Sequence, residues 1–415
     1  MARQTDLEAA GPAPTVIVYF PYPYSGRDLA KSCVRMLEHA PPDVIKPTLL
    51  ISRLRVPAPA RVNAVEADMP ILRWIPWRLA RPLLLALLAW RFRRLLETSD
   101  RDTTIAYFWP DPPIHLLKRA KALGIPIVRQ MINSAREEAK LILDDLYLSH
   151  GQLPKHGISD RSARREREEL ALYDYIFCSD QVAEGLRRMG FPDNRLLKTS
   201  SAWSPSDFNR PVARAQSSEM TRFLFLGTLC RRKGVLELIQ AWEAFNVDGM
   251  LRIVGHVDGE LRGEIDRLRI KGSVEFLPYS ANVGDLYASA DVFVLPTYEE
   301  GSAKVTYEAA ACGLPVITTP MGAGPIIVDG VNGCIVPPGD VNALGAAMAF
   351  LAGDPVARRA YGDRAKADAE AFTYDRVARG RALALNAIIS GRRSGPKVRP
   401  TPINPGVGKK DVSAY

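Results

Sequence analysis

Short apolar runs alternate along the chain with longer segments that have the period of an amphipathic helix. In the first half, the apolar runs that predict buried strands are residues 15–20, 47–51, 104–109, 125–129 and 175–179. The segments that predict helices are residues 28–39, 114–123 and the long charged stretch 135–171. Strands that alternate with helices favour a parallel sheet with helices on both faces.

The same alternation restarts after residues 208–220, a polar, aperiodic stretch that predicts an interdomain linker. Strands are predicted at 222–227, 251–255, 274–277, 291–295 and 315–319, and helices at 235–245, 261–268, 286–290, 304–312, 341–351, 355–372 and 374–390. We therefore predict an α/β fold with two Rossmann-like domains, 1–207 and 221–373. A C-terminal helix, 374–390, and a disordered tail, 391–415, would follow them.

Residues 296–313 are the most informative stretch for function. A Gly-Ser turn follows an apolar run there, and a short helix comes next and ends at Gly313. A strand, a glycine turn and a helix N-terminus gather free backbone N–H groups and a positive dipole end, which suits a phosphate. Glu300 precedes the turn and Glu308 lies one turn inside the helix. The stretch predicts a site for a phosphorylated sugar donor, although each carboxylate taken alone is more often a surface group.

Residues 71–96 combine tryptophan and arginine in an unusual way. The longest uncharged run, residues 82–90, is about half of the ~20 residues that a spanning helix needs. Around it stand Trp74, Trp77 and Trp90 with Arg73, Arg78, Arg81, Arg91, Arg93 and Arg94. Two interpretations stay open: an interfacial helix on an anionic membrane, or a core helix with arginines on its exposed side.

Amino-acid composition indicates the general class of protein but does not indicate its activity. The 415 residues favour two domains, and 47% hydrophobic with 24% charged residues is ordinary for a soluble globular protein. The net charge of +9 fits anionic lipid, nucleic acid or phosphorylated substrates equally well. Five scattered cysteines without a C-x-x-C pair indicate reduced thiols in a cytosolic protein, and the first residues do not have the pattern of a signal peptide. Five His without ligand spacing indicate no metal site.

Several ordered blocks between residues 223 and 338 resemble the retaining glycosyltransferases of the family 4 type. They are Phe-Leu-Gly at 225–227, Arg-Lys-Gly-Val at 232–235, Ile-Val-Gly at 253–255, the run 286–296, the pair Glu300 and Glu308, Gly-Leu-Pro-Val-Ile at 313–317 and Asp-Gly-Val-Asn-Gly at 329–333. Residues 166–208 resemble the family more loosely. The resemblance implies the GT-B fold, in which two Rossmann-like domains face each other across a cleft and the last helix crosses back to the first domain.

The resemblance also implies a nucleotide diphosphate sugar in the cleft and roles for individual residues. As catalytic candidates, Glu300 would lie against hydroxyls of the donor sugar and Lys233 would neutralise the leaving diphosphate. Glu308 would accept hydrogen bonds from the ribose. The further donor-binding candidates are Arg232, Gly227, Thr228, Gly301, Ser302, Ala303, Lys304, Gly255 and Tyr279. In this family, retention is ascribed to attack by the acceptor on the face of the sugar that the leaving group departs from, and a phosphate oxygen of the leaving group helps to deprotonate the acceptor. The resemblance therefore implies no protein base, no metal and no other cofactor.

Some positions depart from the family pattern. Thr228 stands where an arginine is frequent, Ser302 where an aromatic residue or Leu is usual, and Pro325 where an acid is common. The histidine of the family's first domain has no clear match, and Asp111 or Asn133 would occupy that space. Together with Gly26, these two residues are the weaker candidates for the acceptor side.

The expected activity is transfer of a hexosyl unit from a UDP- or GDP-sugar to a glycan or lipid-linked acceptor in cell-surface polysaccharide biosynthesis. The expected location is the cytoplasm, with the inner face of the membrane as the place of action if residues 71–96 bind lipid. No nucleic-acid partner is expected. One alternative is a catalytically silent GT-B-shaped scaffold at the membrane, which Pro325 and the missing histidine favour. A Rossmann oxidoreductase is disfavoured because no convincing helix and acid follow Gly322-Ala-Gly324.

Overall fold

Two parallel β-sheets, one in each half of the sequence, form the framework of the molecule. The computed structural model of the protein describes residues 12–69, 72, 74–208, 220–267, 273–280 and 282–393. Residues 209–219 of the predicted linker and residues 394–415 of the predicted tail lie outside the described residues. None of the helices within the described ranges has both the length and the apolar character needed to cross a bilayer.

The first sheet contains seven strands. They are β1 (Thr15–Phe20), β2 (Lys46–Ile51), β3 (Asn63–Glu66), β4 (Thr104–Phe108), β5 (Ile127–Gln130), β6 (Tyr175–Cys178) and β7 (Leu196–Lys198). Their order is β3-β2-β1-β4-β5-β6-β7, and all neighbours pair in parallel. The helices that accompany them are α1 (Asp28–Glu38), α2 (Trp77–Thr98), α3 (Ile114–Ala122), α4 (Arg136–Ser149), α5 (Asp160–Leu170) and α6 (Asp180–Arg188).

The core of the first domain lies on both faces of this sheet. Along β1, Ile17 and Tyr19 enter one apolar cluster, whereas Val16, Val18 and Phe20 enter another. Successive side chains of a strand point to opposite faces, so a strand that is covered twice must be apolar throughout. This explains why β1 is one continuous apolar run in the sequence.

The second sheet repeats the arrangement with six strands. They are β8 (Thr221–Leu226), β9 (Gly249–Val254), β10 (Val274–Leu277), β11 (Val292–Leu295), β12 (Val316–Thr318) and β13 (Gly333–Ile335), in the order β10-β9-β8-β11-β12-β13. The helices are α7 (Val235–Ala244), α8 (Gly259–Ile265), α9 (Val283–Ala288), α10 (Lys304–Ala311), α11 (Pro320–Ala323), α12 (Val341–Gly353) and α13 (Pro355–Ala369). All strand pairs are again parallel, as predicted.

The last helix, α14 (Tyr374–Arg393), crosses back to the first domain. Its Leu385 and Ile389 are buried in the apolar cluster that also contains Val16 and Val18 of β1. The Asn386 side chain donates a hydrogen bond of 2.8 Å to the carbonyl of Val44. The predicted crossing is confirmed, and the helix continues beyond residue 390 to Arg393.

The structure differs from the prediction at sheet edges, at helix ends and at α6, a helix that was not predicted. The unpredicted strands β3, β7 and β13 are all edge strands of three or four residues. An edge strand pairs on one side only and need not be apolar throughout, so its pattern is weak. The single helix predicted at 135–171 is two helices, α4 and α5, and Ser159 caps the second by accepting a hydrogen bond from the backbone of Ser162.

Candidate functional site

Each sheet reverses its strand order at one point, and the candidate residues follow the strands at these two points. The first domain reverses between β1 and β4, which lead to Gly26 and Asp111 respectively. The second reverses between β8 and β11, which lead to Gly227 and Glu300. Open α/β sheets bind ligands at the carboxyl ends of their strands at such a reversal. The topology therefore puts both sets of loops at ligand-binding positions.

The loops of the two domains touch at Gly301. A Cβ atom added to Gly301 would lie 1.9 Å from the carbonyl oxygen of Ile132, in the loop after β5. Two residues earlier in the second domain, the Glu299 carboxylate accepts a hydrogen bond of 2.9 Å from the backbone N–H of Ser134. Only glycine permits this approach of the two backbones. The cleft is thus closed at this point.

Glu300 lies in a cluster of cations at the carboxyl end of β11. Lys233 forms an ion pair with its Oε1 atom, and the guanidinium of Arg232 lies 3.2 Å from the same oxygen. Arg232 also donates a hydrogen bond of 2.6 Å to the Glu299 carbonyl. Burial alone would lower the pKa of Arg232, but Glu300 and Glu299 outweigh it and raise that pKa above its usual value. The Arg232 guanidinium also lies 3.4 Å from the Glu299 carboxylate, so Lys233 and Arg232 face two buried carboxylates.

The backbone that carries these cations is fixed by Gly234. This residue has φ of +69°, and a Cβ there would lie 2.1 Å from the carbonyl oxygen of Pro296. The position after Lys233 must therefore be glycine, both for the left-handed turn and for contact with the loop after β11. The glycine of the Arg-Lys-Gly block thus fixes the backbone so that Lys233 contacts Glu300.

Glu308 lies on α10 and has different partners. Lys304, one turn earlier on the helix, lies 3.0 Å from its Oε1 atom, and the Tyr287 hydroxyl donates a hydrogen bond of 3.0 Å to its Oε2 atom. Lys304 also lies 3.3 Å from Asp207, and Asp207 lies 2.8 Å from Lys31 on α1. An unbroken row of alternating charges thus runs from the first domain to Glu308.

The titration of this row follows from burial and charge together. Burial favours the protonated form of Asp207, but Lys304 and Lys31 outweigh it, so its pKa is below the usual value. Burial alone would lower the pKa of Lys304, but Glu308, Tyr374 and Asp207 raise it. Both side chains are therefore charged at neutral pH. Burial and the Glu308 charge raise the pKa of Tyr287, which remains a hydrogen-bond donor.

A cavity of about 720 Å³ between the domains gathers many of the candidates. The second domain contributes Gly301, Ser302, Lys304, Glu308 and Tyr279 to its wall, and the first contributes Gly26 and Asn133. Tyr279 and Gly255, the two residues predicted to border the base, both line a neighbouring cavity of about 450 Å³. A third cavity of about 520 Å³ is lined by Arg232, Asp111 and Asn133.

The remaining candidates do not line these three cavities. Lys233 and Glu300 face each other instead, and Gly227 and Thr228 follow β8, with Thr228 exposed to solvent. Ala303 is buried and precedes α10. Asp111, by contrast, does line the 520 Å³ cavity, where it accepts a hydrogen bond from the Tyr22 hydroxyl and lies 3.4 Å from Arg136.

Ser302 is engaged in a contact between the domains. Its hydroxyl accepts a hydrogen bond of 2.9 Å from the backbone N–H of Ser201, and its carbonyl accepts one of 2.8 Å from the Ser201 hydroxyl. The family resemblance made Ser302 a donor-binding candidate. Its side chain does line the 720 Å³ cavity, but in this structure the hydroxyl is also part of the closure of the cleft.

Sequence reasoning did not identify Asp207, Lys31, Tyr287 or Glu299. The one local sequence feature that involves Asp207 is a capping box, in which its carboxylate accepts a hydrogen bond of 3.1 Å from the backbone N–H of Ser204. A capping box predicts a helical turn and no ligand. Among the described residues there is no group of three His, Cys, Asp or Glu side chains placed to hold a metal ion.

Sequence comparison finds relatives of this chain among glycosyltransferases. A family model described as "Glycosyl transferases group 1" matches residues 221–354, which include Lys233, Glu300 and Glu308. The chain is 26% identical to the O-antigen chain mannosyltransferase B of Escherichia coli over 209 residues, which are 46% of this chain and 55% of that protein. It is 30% identical to the D-inositol 3-phosphate glycosyltransferase of Arthrobacter sp. (strain FB24) over 312 residues, or 69% of this chain and 71% of that one. The chain thus spans about half the length of the first relative and more than two thirds of the second.

Solved structures share the fold over most of the chain. Sucrose-phosphate synthase from Thermosynechococcus elongatus has a TM-score of 0.62 at 17% identity and covers 92% of this chain and 99% of its own. HepE from Anabaena, in complex with UDP-glucose, has a TM-score of 0.57 at 17% identity, with 92% and 99% covered. At such identities the likeness concerns the fold. Together with the two parallel sheets, it confirms the predicted GT-B architecture.

Proposed function

The chain belongs to the group 1 glycosyltransferases, and we propose that it is a retaining hexosyltransferase that uses a UDP- or GDP-sugar. The observation that carries the proposal is the arrangement at the second-domain reversal point. Glu300 faces Lys233 and Arg232 there, and Glu308 lies on the helix that follows. A diphosphate needs fixed positive charge, and hydroxyl groups of a sugar and a ribose need carboxylate acceptors. The site offers both kinds of group.

The donor would bind across the cavity between the domains. Tyr279 and Gly255 would border the base, and Glu308 would accept hydrogen bonds from the ribose. The diphosphate would draw Lys233 and Arg232 away from Glu300, and this would free the Glu300 carboxylate for the hydroxyls of the sugar. HepE, whose fold this chain shares, was solved with UDP-glucose, which supports a sugar nucleotide as the donor class.

In the proposed reaction, the bond between C1 of the sugar and the β-phosphate oxygen breaks. A bond between C1 and the acceptor oxygen forms on the same face, and the acceptor proton passes to a phosphate oxygen of the leaving group. The products are the glycoside and the nucleoside diphosphate. Lys233 and Arg232 would stabilise the negative charge that grows on the leaving group. Fixed cations stabilise such charge most effectively in a site from which water is excluded. The proposal includes no metal and no further cofactor.

The acceptor that we propose is a glycan or a lipid-linked glycan of cell-surface polysaccharide biosynthesis, at the cytoplasmic face of the membrane. The similarity to an O-antigen chain mannosyltransferase supports this class of pathway. On the acceptor side, Asp111 and Asn133 line the 520 Å³ cavity with Arg232 of the second domain. An acceptor hydroxyl bound there would lie beside the site of the cations.

A donor panel tests the proposal directly. The purified full chain is titrated with UDP-glucose, UDP-galactose, UDP-N-acetylglucosamine, GDP-mannose and ADP-glucose in a calorimeter, and donor hydrolysis is followed by NMR. We expect saturable binding of a UDP- or GDP-sugar and slow hydrolysis in which the α-anomer appears first from an α-linked donor. Binding of one donor with no turnover, even with extracted lipid-linked acceptors, would favour the silent scaffold. No response to any donor would refute donor binding.

A further inference from the structure

Helix α2 has two apolar stripes on opposite sides, and only one of them packs on the core. The buried stripe repeats every four residues and consists of Ala80, Leu84, Leu88, Phe92 and Leu96. Within it, the ring of Phe92 meets Tyr19 of β1 edge to face, with 5.3 Å between centroids. This stripe accounts for the attachment of the helix to the first domain.

The second stripe faces solvent. It consists of Leu79, Leu83, Ala86 and Trp90, a spacing that keeps all four on one side of a helix that turns about 100° per residue. Leu79 is 73% exposed, Leu83 48% and Trp90 55%, and Trp74 just before the helix is 90% exposed. A helix that is apolar on two opposite sides is normally covered on both. Among the described residues, nothing covers this second side.

The helix surface beside the exposed stripe is basic. Residues 69–96 include no Asp or Glu, and Arg78, Arg93 and Arg94 are exposed. Arg93 lies 3.3 Å from Glu97, whereas Arg81 is exposed on the opposite side of the helix. The guanidinium of Arg94 lies 5.8 Å from the centre of the Trp90 ring, so a cation and an aromatic group are presented together. Apolar and aromatic side chains flanked by arginines match the acyl boundary and the phosphate layer of an anionic bilayer.

The helix begins at the edge of the cleft. Trp77, its first residue, lines a cavity of about 370 Å³ together with Tyr22 and Leu29. Tyr22 and Leu29 also line the 520 Å³ cavity on the acceptor side of the cleft. Trp77 packs against the buried side of α2, so a surface that covers the exposed stripe would lie about one helix diameter, ~10 Å, from this edge of the cleft.

We propose that the exposed stripe of α2 docks on the surface of an anionic lipid bilayer. Leu79, Leu83 and Trp90 enter the boundary between headgroups and acyl chains, and the arginines meet lipid phosphates. A lipid-linked acceptor then reaches the cleft from the Tyr22 side. Only this last step rests on the proposed function, because docking itself needs neither donor nor acceptor.

Vesicle flotation tests the docking without any enzymatic reaction. The full chain is mixed with vesicles of phosphatidylcholine alone or with about one third phosphatidylglycerol, at low and high salt. We expect flotation with the anionic vesicles, and weaker flotation at high salt because the arginine contribution is screened. Bromine-labelled acyl chains should quench tryptophan fluorescence in the bound state. Equal flotation with both vesicle types at every salt concentration would refute the electrostatic part of the proposal.

Two pairs of matched variants locate the surface. Leu79→Glu with Trp90→Glu should abolish flotation, whereas Leu141→Glu with Leu153→Glu, at other exposed leucines, should leave it unchanged. Arg78→Gln with Arg94→Gln should lower the partition coefficient on the order of twentyfold. Arg164→Gln with Arg165→Gln, which remove the same charge from exposed positions of α5, should have little effect. The arginine pair does not touch the buried stripe, so it decides the question even if the glutamates unfold the helix.

The alternative occupant of the stripe is a second copy of the chain. Light scattering of the free protein distinguishes the two occupants. If the wild type is a dimer and does not float, and Leu79→Glu with Trp90→Glu makes it a monomer, the stripe is a self-interface and the proposal is overturned. The proposal is overturned equally if both variants at α2 float as well as their controls.

Discussion

Glu300 and Glu308 are buried to the same extent, with 8% and 7% of their surface exposed, but their surroundings differ in kind. The cations that hold Glu300 are Lys233 and Arg232, which precede α7 in the second domain. Every member of this cluster thus lies in the second domain.

Glu308 belongs to a row that leaves the second domain. Its partner Lys304 is shared with Asp207, and Asp207 is shared with Lys31 on α1 of the first domain. A ligand that displaces the partners of Glu300 breaks ion pairs within the second domain, although the neighbouring Glu299 accepts a hydrogen bond from Ser134 of the first domain. A ligand that engages Glu308 acts on a row of ion pairs that spans both domains. Under the proposed function, the sugar would bind at the first group of charges and the ribose at the second.

The largest expected effect is that of Glu300→Gln on turnover. Loss of this carboxylate removes a contact to the sugar in the transition state, and we expect kcat to fall on the order of a hundredfold. The affinity for free UDP or GDP should stay the same or increase, because Lys233 no longer pairs with a competing carboxylate. Initial rates and calorimetry measure the two quantities.

The matched control for Glu300 is Glu168→Gln, which removes the same charge from an exposed position on α5 and should change neither quantity. If Glu300→Gln weakens nucleotide binding as strongly as it lowers kcat, the local character of the Glu300 cluster is contradicted.

The two carboxylates could be recognised from the sequence because one continuous strand, turn and helix carries both. The seven residues between them therefore determine most of the geometry. The row that extends from Glu308 was not recognisable. Asp207 and Lys31 are brought to Lys304 only by the packing of the two domains, and no local period records such a contact. Ser302 shows the same limit, since its hydroxyl is engaged by Ser201 of the other domain.

Some elements of the fold could likewise be predicted from the sequence and others could not. Central strands such as β1 and β11 are covered on both faces and were predicted from apolar runs, but the edge strands β3, β7 and β13 were not. At α2, the mixture of arginine and tryptophan predicted an unusual helix. Only the structure separates its buried stripe from its exposed stripe, because both have the same helical period.

A smaller effect is expected for Glu308→Gln, and on binding instead of turnover. The variant keeps the shape of the side chain but loses a charged acceptor for ribose hydroxyls, so the Kd of free UDP or GDP should rise about tenfold. At saturating donor, kcat should change little. Calorimetry with the free nucleotide isolates this contribution because no sugar is present. A fall in kcat as large as that of Glu300→Gln would remove the distinction between the two carboxylates.

The smallest effect concerns the link between the domains itself. Asp207→Asn leaves Lys31 and Lys304 without their shared carboxylate, and we expect the melting temperature at pH 7 to fall by a few degrees. The pKa of Asp207 is lowered in the folded protein, so its contribution to stability is complete above the usual Asp pKa of about 3.9 and is lost as pH falls through the lower, folded value. The melting temperatures of wild type and variant should therefore begin to converge as pH falls below about 4, and they should meet once pH is below the folded pKa of Asp207. Asp363→Asn, at an exposed position of α13, serves as the control and should match the wild type at every pH. A difference between Asp207→Asn and wild type that persists undiminished in acid would mean that the carboxylate charge does not hold the domains together.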